Sequence, residues 1–144
     1  MQTGLYIVGT PIGNLSDFSP RAIEVLKNVD LIAAEDTRVF GKLATHFDIK
    51  TKRVACHEHN EREVVPQLIE KIQSGQSVAC VSDAGMPGVS DPGFRLVRAA
   101  RAAGVSVFVV PGPVAAISAL VLSGFPTDRF TFCGFFDEKK LYTV

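Results

Sequence analysis

No run of about 18 apolar residues occurs in the chain, so no segment has the composition of a membrane-crossing helix. A leader pattern is also missing: Met1-Gln2-Thr3-Gly4 runs straight into an apolar strand, and a cytoplasmic protein is expected. Net charge is zero, with 15 Lys and Arg against 15 Asp and Glu. That excludes holding nucleic acid by bulk charge, and any RNA affinity has to come from a local patch. Cysteine is scarce. Cys56, Cys80 and Cys133 are odd in number and lack metal-type spacing, and Cys80 sits in an apolar run, so reduced core chemistry is expected rather than disulfides. Two cofactor motifs are absent as well. G-x-P-x-G at 9–13 is not the G-x-G-x-x-G dinucleotide fingerprint, and no G-K-[ST] follows to make a Walker loop. Internal repeats and low-complexity tracts are lacking.

What is present centres on Val78 to Gly93, V-A-C-V-S-D-A-G-M-P-G-V-S-D-P-G. Val78-Ala79-Cys80-Val81 suits a strand buried on both faces. The chain then breaks into Ser, Asp, Gly and Pro, and Asp91 and Pro92 are expected to open a helix over Phe94 to Ala103. The intervening loop exceeds the usual span of about 2–6 residues for a βα connection. With Asp83 at the strand exit, it is a candidate ligand wall.

The rest of the 144 residues, 47% of them hydrophobic, repeats this strand–loop–helix rhythm. Leu5 to Val8 is a strand, followed by Gly9-Thr10-Pro11-Ile12-Gly13-Asn14-Leu15 and a helix capped by Ser19 and Pro20. Asp30 to Ala34 is a second strand, ending in Glu35-Asp36-Thr37-Arg38 at a helix start. There Asp36 reads either as a cap paired to Arg38 or as a functional carboxylate. Arg53 to Cys56 is a third strand. His57-Glu58-His59-Asn60 follows it, and Asn60 with Glu63 matches a capping box ahead of a stripe of Val64, Val65, Leu68, Ile69 and Ile72. Pro66 inside that stripe predicts a kink or a later start. His57 and His59 lack a third ligand, so no metal is expected. Val105 to Val110 is a fifth strand, Pro111-Gly112-Pro113 a turn, Val114 to Leu122 a helix, and Phe130 to Phe136 a last strand-like run. The alternation predicts an α/β three-layer sandwich, a five-stranded mainly parallel sheet with helices on both faces. Loops 9–15, 35–38, 57–60, 82–93 and 111–113 all follow strands, so they share the sheet edge where ligands bind in such folds.

As a set, G-T-P-I-G-N-L at 9–15, A-E-D-T-R at 34–38, H-E-H-N at 57–60, S-D-A-G-M-P-G-V-S-D-P-G at 82–93 and V-P-G-P at 110–113 resemble the ribosomal RNA small-subunit methyltransferase I group of the tetrapyrrole methylase superfamily. The resemblance implies S-adenosylmethionine (SAM) as methyl donor, the 2′-hydroxyl of a cytidine in small-subunit ribosomal RNA as acceptor, and a homodimer. It implies SAM contacts at Pro11, at Ser82, Asp83, Ala84, Gly85 and Met86, and at Gly112, Val114 and Ala115. Val114 stands where the family usually carries a small hydroxyl or thiol residue. The family continues into a second domain, so residues 1–124 are expected to be the SAM-binding domain and 125–144 the start of a linker or second domain.

Methyl transfer from a sulfonium needs alignment, exclusion of water and help for a poorly nucleophilic hydroxyl. The loops offer Asp36, Glu35, Asp83 and His59. The residues alone assign no base; Asp36 is the candidate taken forward, with Arg38 as an RNA phosphate contact. A small-molecule tetrapyrrole methylase and a noncatalytic dimerisation module are the alternative readings.

Overall fold

A computed structural model describes residues 1–90 and 93–136. The proposed cap Asp91, the proposed first-turn Pro92 and the polar run 137–140 lie outside them. The chain divides into two compact units, Met1–Val114 and Ala115–Val144.

In the first unit the elements alternate: β1 (Gly4–Val8), α1 (Pro20–Asn28), β2 (Leu31–Ala34), α2 (Thr37–His46), β3 (Arg53–Ala55), α3 (Glu61–Gln73), β4 (Ser77–Val81), α4 (Gly93–Ala102) and β5 (Val107–Val110). The strands form one sheet in the order β3-β2-β4-β1-β5, and every pairing is parallel. The sequence-based expectation of a mainly parallel five-stranded sheet is therefore met. β4 lies at the centre, with Val78 level with Leu5 on one side and Leu31 on the other.

Alternation along the strands builds two cores. Tyr6, Val8, Ile32, Ala34, Ala79 and Val81 face one way and pack with Ala22, Val25 and Leu26 of α1 and Phe40 and Ala44 of α2. Leu5, Ile7, Leu31, Ala33, Val78 and Cys80 face the other way, against Val65, Leu68 and Ile72 of α3 and Leu96 and Ala100 of α4. The three inner strands are thus buried on both faces, which is why β1, β2 and β4 read as apolar runs. Local chemistry sets the helix starts. The Ser19 side chain accepts from the Ala22 N–H, and Pro20 takes the first helical position.

α3 begins at Glu61 and runs through Pro66, so of the two readings of that proline the later start is excluded. Phe130 to Phe136 forms no strand. An extended apolar run becomes a strand only where a neighbour pairs its backbone, and no ladder among the described residues includes this one. In the second unit, α5 (Ala115–Leu122) carries no buried residue. Among the described residues no helix is long and apolar enough to cross a membrane.

Candidate functional site

Because all five strands run the same way, the loops after them lie along one sheet edge, and three of them lock together. Thr10 and Gly85 exchange backbone bonds in both directions, Thr10 N–H to Gly85 O at 3.0 Å and Gly85 N–H to Thr10 O at 3.1 Å. This ties the loop after β1 to the loop after β4. The loop after β5 closes on the same point: Gly9 and Gly112 are in backbone contact so tight that no side chain fits between them. The Met86 sulfur also sits against Gly9. Gly85 has φ +80°, a left-handed conformation that glycine adopts without strain, and it lies against Ile12 and the Pro113 carbonyl.

The residues implied as cofactor contacts are placed as follows. Ser82 is buried, and its hydroxyl donates to the Ala84 and Gly85 carbonyls at 3.2 and 3.3 Å, shaping the turn that follows β4. Asp83 is exposed; its N–H donates to the Glu35 carboxylate at 3.3 Å, which brings the loop after β2 alongside. Ala84 is exposed, whereas Gly85 is buried. Pro11 and Asp83 line a common open groove of about 360 Å³, with Leu15, Val39 and Lys42 on its other walls. Gly112 and Val114 belong to the same unit, Val114 being exposed. Ala115 opens α5 in the second unit.

Asp36 is the N-cap of α2. Its carboxylate accepts the Arg38 N–H at 2.8 Å and pairs with the Arg38 guanidinium at 3.2 Å. The Arg38 side-chain hydrogen bond, then its N–H, holds the Asp36 carboxyl below the usual carboxylate range. A carboxylate held ionised in this way is a weaker proton acceptor. Arg38 is nearly fully exposed and stands at the same sheet edge.

The H-E-H-N segment is a turn rather than a strand end. Asn60 occupies the N-cap position of α3 but makes no capping bond with its side chain. Instead its Oδ1 accepts the His57 N–H at 2.8 Å and its Nδ2 donates to the Ala55 carbonyl at 3.0 Å, clipping the loop closed. The expected capping box is therefore replaced by a loop clip. The His57 and His59 rings lie 5.9 Å apart, and His57 Nδ1 accepts the His59 N–H.

Sequence reasoning missed one feature here. Glu61 is buried and pairs through Oε1 with Arg95 Nε at 3.1 Å, joining the start of α3 to the first turn of α4. Its Oε2 has no hydrogen-bond partner among the described residues. Burial, with the Glu61 charge adding to it, pushes the neighbouring Cys56 thiol up to about 11. The signal was available: Glu61 falls on the same helical stripe as Val65, Leu68 and Ile72, the face that turns inward.

Comparison with known proteins identifies the family. The family model described as Tetrapyrrole (Corrin/Porphyrin) Methylases matches residues 4–141. A protein of Synechocystis named ribosomal RNA small subunit methyltransferase I is 54% identical over 94% of this chain and 49% of its own length. One of that name from Vibrio cholerae is 56% identical over 94% of this chain and 47% of its own. The chain thus spans about half the length of these relatives. Among solved structures, a uroporphyrin-III-C-methyltransferase of Thermus thermophilus superposes with a TM-score of 0.64 at 28% identity, covering 87% of this chain and 53% of that one. A diphthine synthase superposes at 0.66 with 20% identity over 88% and 51%, a likeness of fold alone. With a parallel sheet in the order β3-β2-β4-β1-β5, its loops knotted at one edge, and a family match over nearly its whole length, the chain belongs to the tetrapyrrole (corrin/porphyrin) methylases.

Proposed function

We propose that this chain is the SAM-binding half of a methyltransferase that acts on small-subunit ribosomal RNA, methylating the 2′-hydroxyl of a cytidine ribose. The observation that carries the cofactor part is the three-way junction of the loops after β1, β4 and β5. The residues there fit SAM. Gly9 and Gly112 let the exits of β1 and β5 pack backbone to backbone beside the loop after β4, and the exposed Asp83 carboxylate suits a cationic sulfonium ligand with hydroxyl and amino donors. Bound there, SAM supplies an electrophilic methyl carbon. Asp83 and the backbone of 84–86 would hold and orient it, Pro11 with Ile12 would shield it from water, and Gly112 and Val114 would supply further contacts.

The RNA part is supported by identity of 54–56% to proteins named for ribosomal RNA, against 28% to the uroporphyrin enzyme. Arg38, exposed beside the sheet edge, is proposed as a phosphate contact. The proposed domain, 1–124, would work with a further domain beginning at about 125, in a cytoplasmic homodimer. Phe125, Phe130, Phe132, Phe135 and Phe136 are all exposed, and that much apolar surface favours a reading in which more protein covers it.

Calorimetric titration with SAM tests the cofactor part, and micromolar binding is expected. Absence of binding both by this chain and by a protein carrying the second half would overturn it. Methyl incorporation into small ribosomal subunits against a porphyrin precursor, measured on the longer protein, decides the substrate.

A further inference from the structure

We propose that the cleft between the loop after β3 and the first turn of α4 is a nucleotide subsite for the methyl acceptor, in which Phe94 stacks the base and Arg95, held by Glu61, takes a phosphate. The inference rests on the RNA-methylation reading above and assigns its substrate a place separate from the Pro11–Asp83 groove. The cleft measures about 710 Å³, a size that admits one nucleotide, and its walls include His57, Glu58, His59, Glu61, Phe94 and Arg95.

Phe94 is 58% exposed on this wall, while Leu96 and Ala100 of the same helix are fully buried. An aromatic face left open beside a polar cleft is what unstacked bases bind. The Glu61–Arg95 pair makes little sense as a stabilising device. Glu61 is 4% exposed and keeps one carboxylate oxygen without a partner among the described residues, so an apolar residue would complete the Val65, Leu68 and Ile72 stripe at less cost. What the pair does is geometric. Glu61 engages Arg95 through Nε, while the guanidinium side chain stays about half exposed at the cleft. Its two Nη groups are then presented as a fork, the arrangement that matches a phosphate. Glu35 and Glu58 also line the cleft and disfavour a bare anion. They favour a nucleotide whose base brings donors, as the cytosine N4 amine does toward carboxylates.

The test titrates the isotopically labelled chain, by amide NMR shifts, with cytidine 5′-monophosphate and with cytidine. Shifts are expected over 57–61 and at 94–95, with the phosphate adding about fivefold or more in affinity. Phe94→Ala should weaken both ligands by about fivefold or more. Arg95→Gln should make the two ligands bind equally. The double variant Glu61→Gln with Arg95→Gln gives the same readout without an unpaired buried charge, should the single variant fail to fold. Shifts confined to 9–15 and Asp83, equal affinity for the two ligands in the parent chain, or no saturable shift would each overturn the subsite. A parallel SAM titration keeps the readings apart: its failure both here and in a protein carrying the second half removes the methyltransferase reading, while the nucleotide result is read from its own shifts.

Discussion

A Cβ built on Gly9 would lie 2.6 Å from the Cα of Gly112, and one built on Gly112 would lie 2.7 Å from the Cα of Gly9. Two strand exits, separated by most of the domain in sequence, therefore meet backbone to backbone with no side chain between them. The loop that follows β4 is pinned to the same point through Thr10 and Gly85. The site edge is thus built from main chain rather than from mobile side chains.

Gly9→Ala and Gly112→Ala should each destabilise the fold by about 1–3 kcal/mol, because the added methyl meets backbone, which cannot rotate away. Gly41→Ala is the control. Gly41 lies inside α2 with open space where its Cβ would go, and the change should raise stability by about 0.5–1 kcal/mol. Thermal melts of the three variants check the pair of signs. Equal Tm values for Gly9→Ala and the parent would mean that the loops are not locked.

Asp36 distinguishes two roles by one conservative change. Asparagine caps a helix as well as aspartate does, so Asp36→Asn should keep the Tm close to that of the parent, while Asp36→Ala lowers it. Since Arg38 holds the Asp36 carboxylate ionised, Asp36→Asn should retain most methyl transfer in the longer protein. A loss of about a hundredfold or more would make Asp36 the base after all.

Asp30 links stability to acid. Its carboxylate accepts the Ser77 N–H at 2.7 Å and the Ser77 hydroxyl at 2.8 Å, fastening the start of β4 to the turn before β2. The Ser77 N–H, then its hydroxyl, holds the Asp30 carboxyl below its ordinary value. A lowered folded-state value stabilises fully above the unfolded carboxylate range, and the contribution fades as pH falls through the folded value. Melts from pH 7 to pH 2 should therefore show the parent ahead of Asp30→Ala at neutral pH, with the gap closing below about pH 4. A gap constant with pH would remove the ionic part of the account.

How much of this was legible in the sequence depended on the range of the interaction. The sheet was readable because burial on both faces leaves an unbroken apolar run, as in Val78 to Val81. The cap on α1 was readable because Ser19 bonds within its own turn. Thr10–Gly85 and Glu61–Arg95 were not readable as pairs, since nothing local says which distant residue will meet them. Phe130 to Phe136 misled because β-propensity describes a surface that fits a neighbour, and no strand among the described residues pairs with it.

Asn60 shows the same limit at short range and supports a last prediction. The spacing of Asn60 and Glu63 satisfies a capping box, yet the side chain turns backwards to the loop it closes. Both ends of the amide are in use, one accepting from His57 and one donating to Ala55. Asn60→Asp keeps the acceptor and loses the donor, so it should cost about 1 kcal/mol; Asn60→Ala loses both and should cost about 1–3 kcal/mol. Asn60→Ser tests the competing role directly, since serine is a good capping residue but is too short to span Ala55 and His57. It should destabilise, with faster hydrogen exchange at the His57 amide. A rise in Tm for Asn60→Ser would show that capping α3 outweighs closing the loop. The clip also fixes where His57 and His59 face the cleft, so Asn60→Ala should weaken cytidine monophosphate binding while leaving SAM binding unchanged.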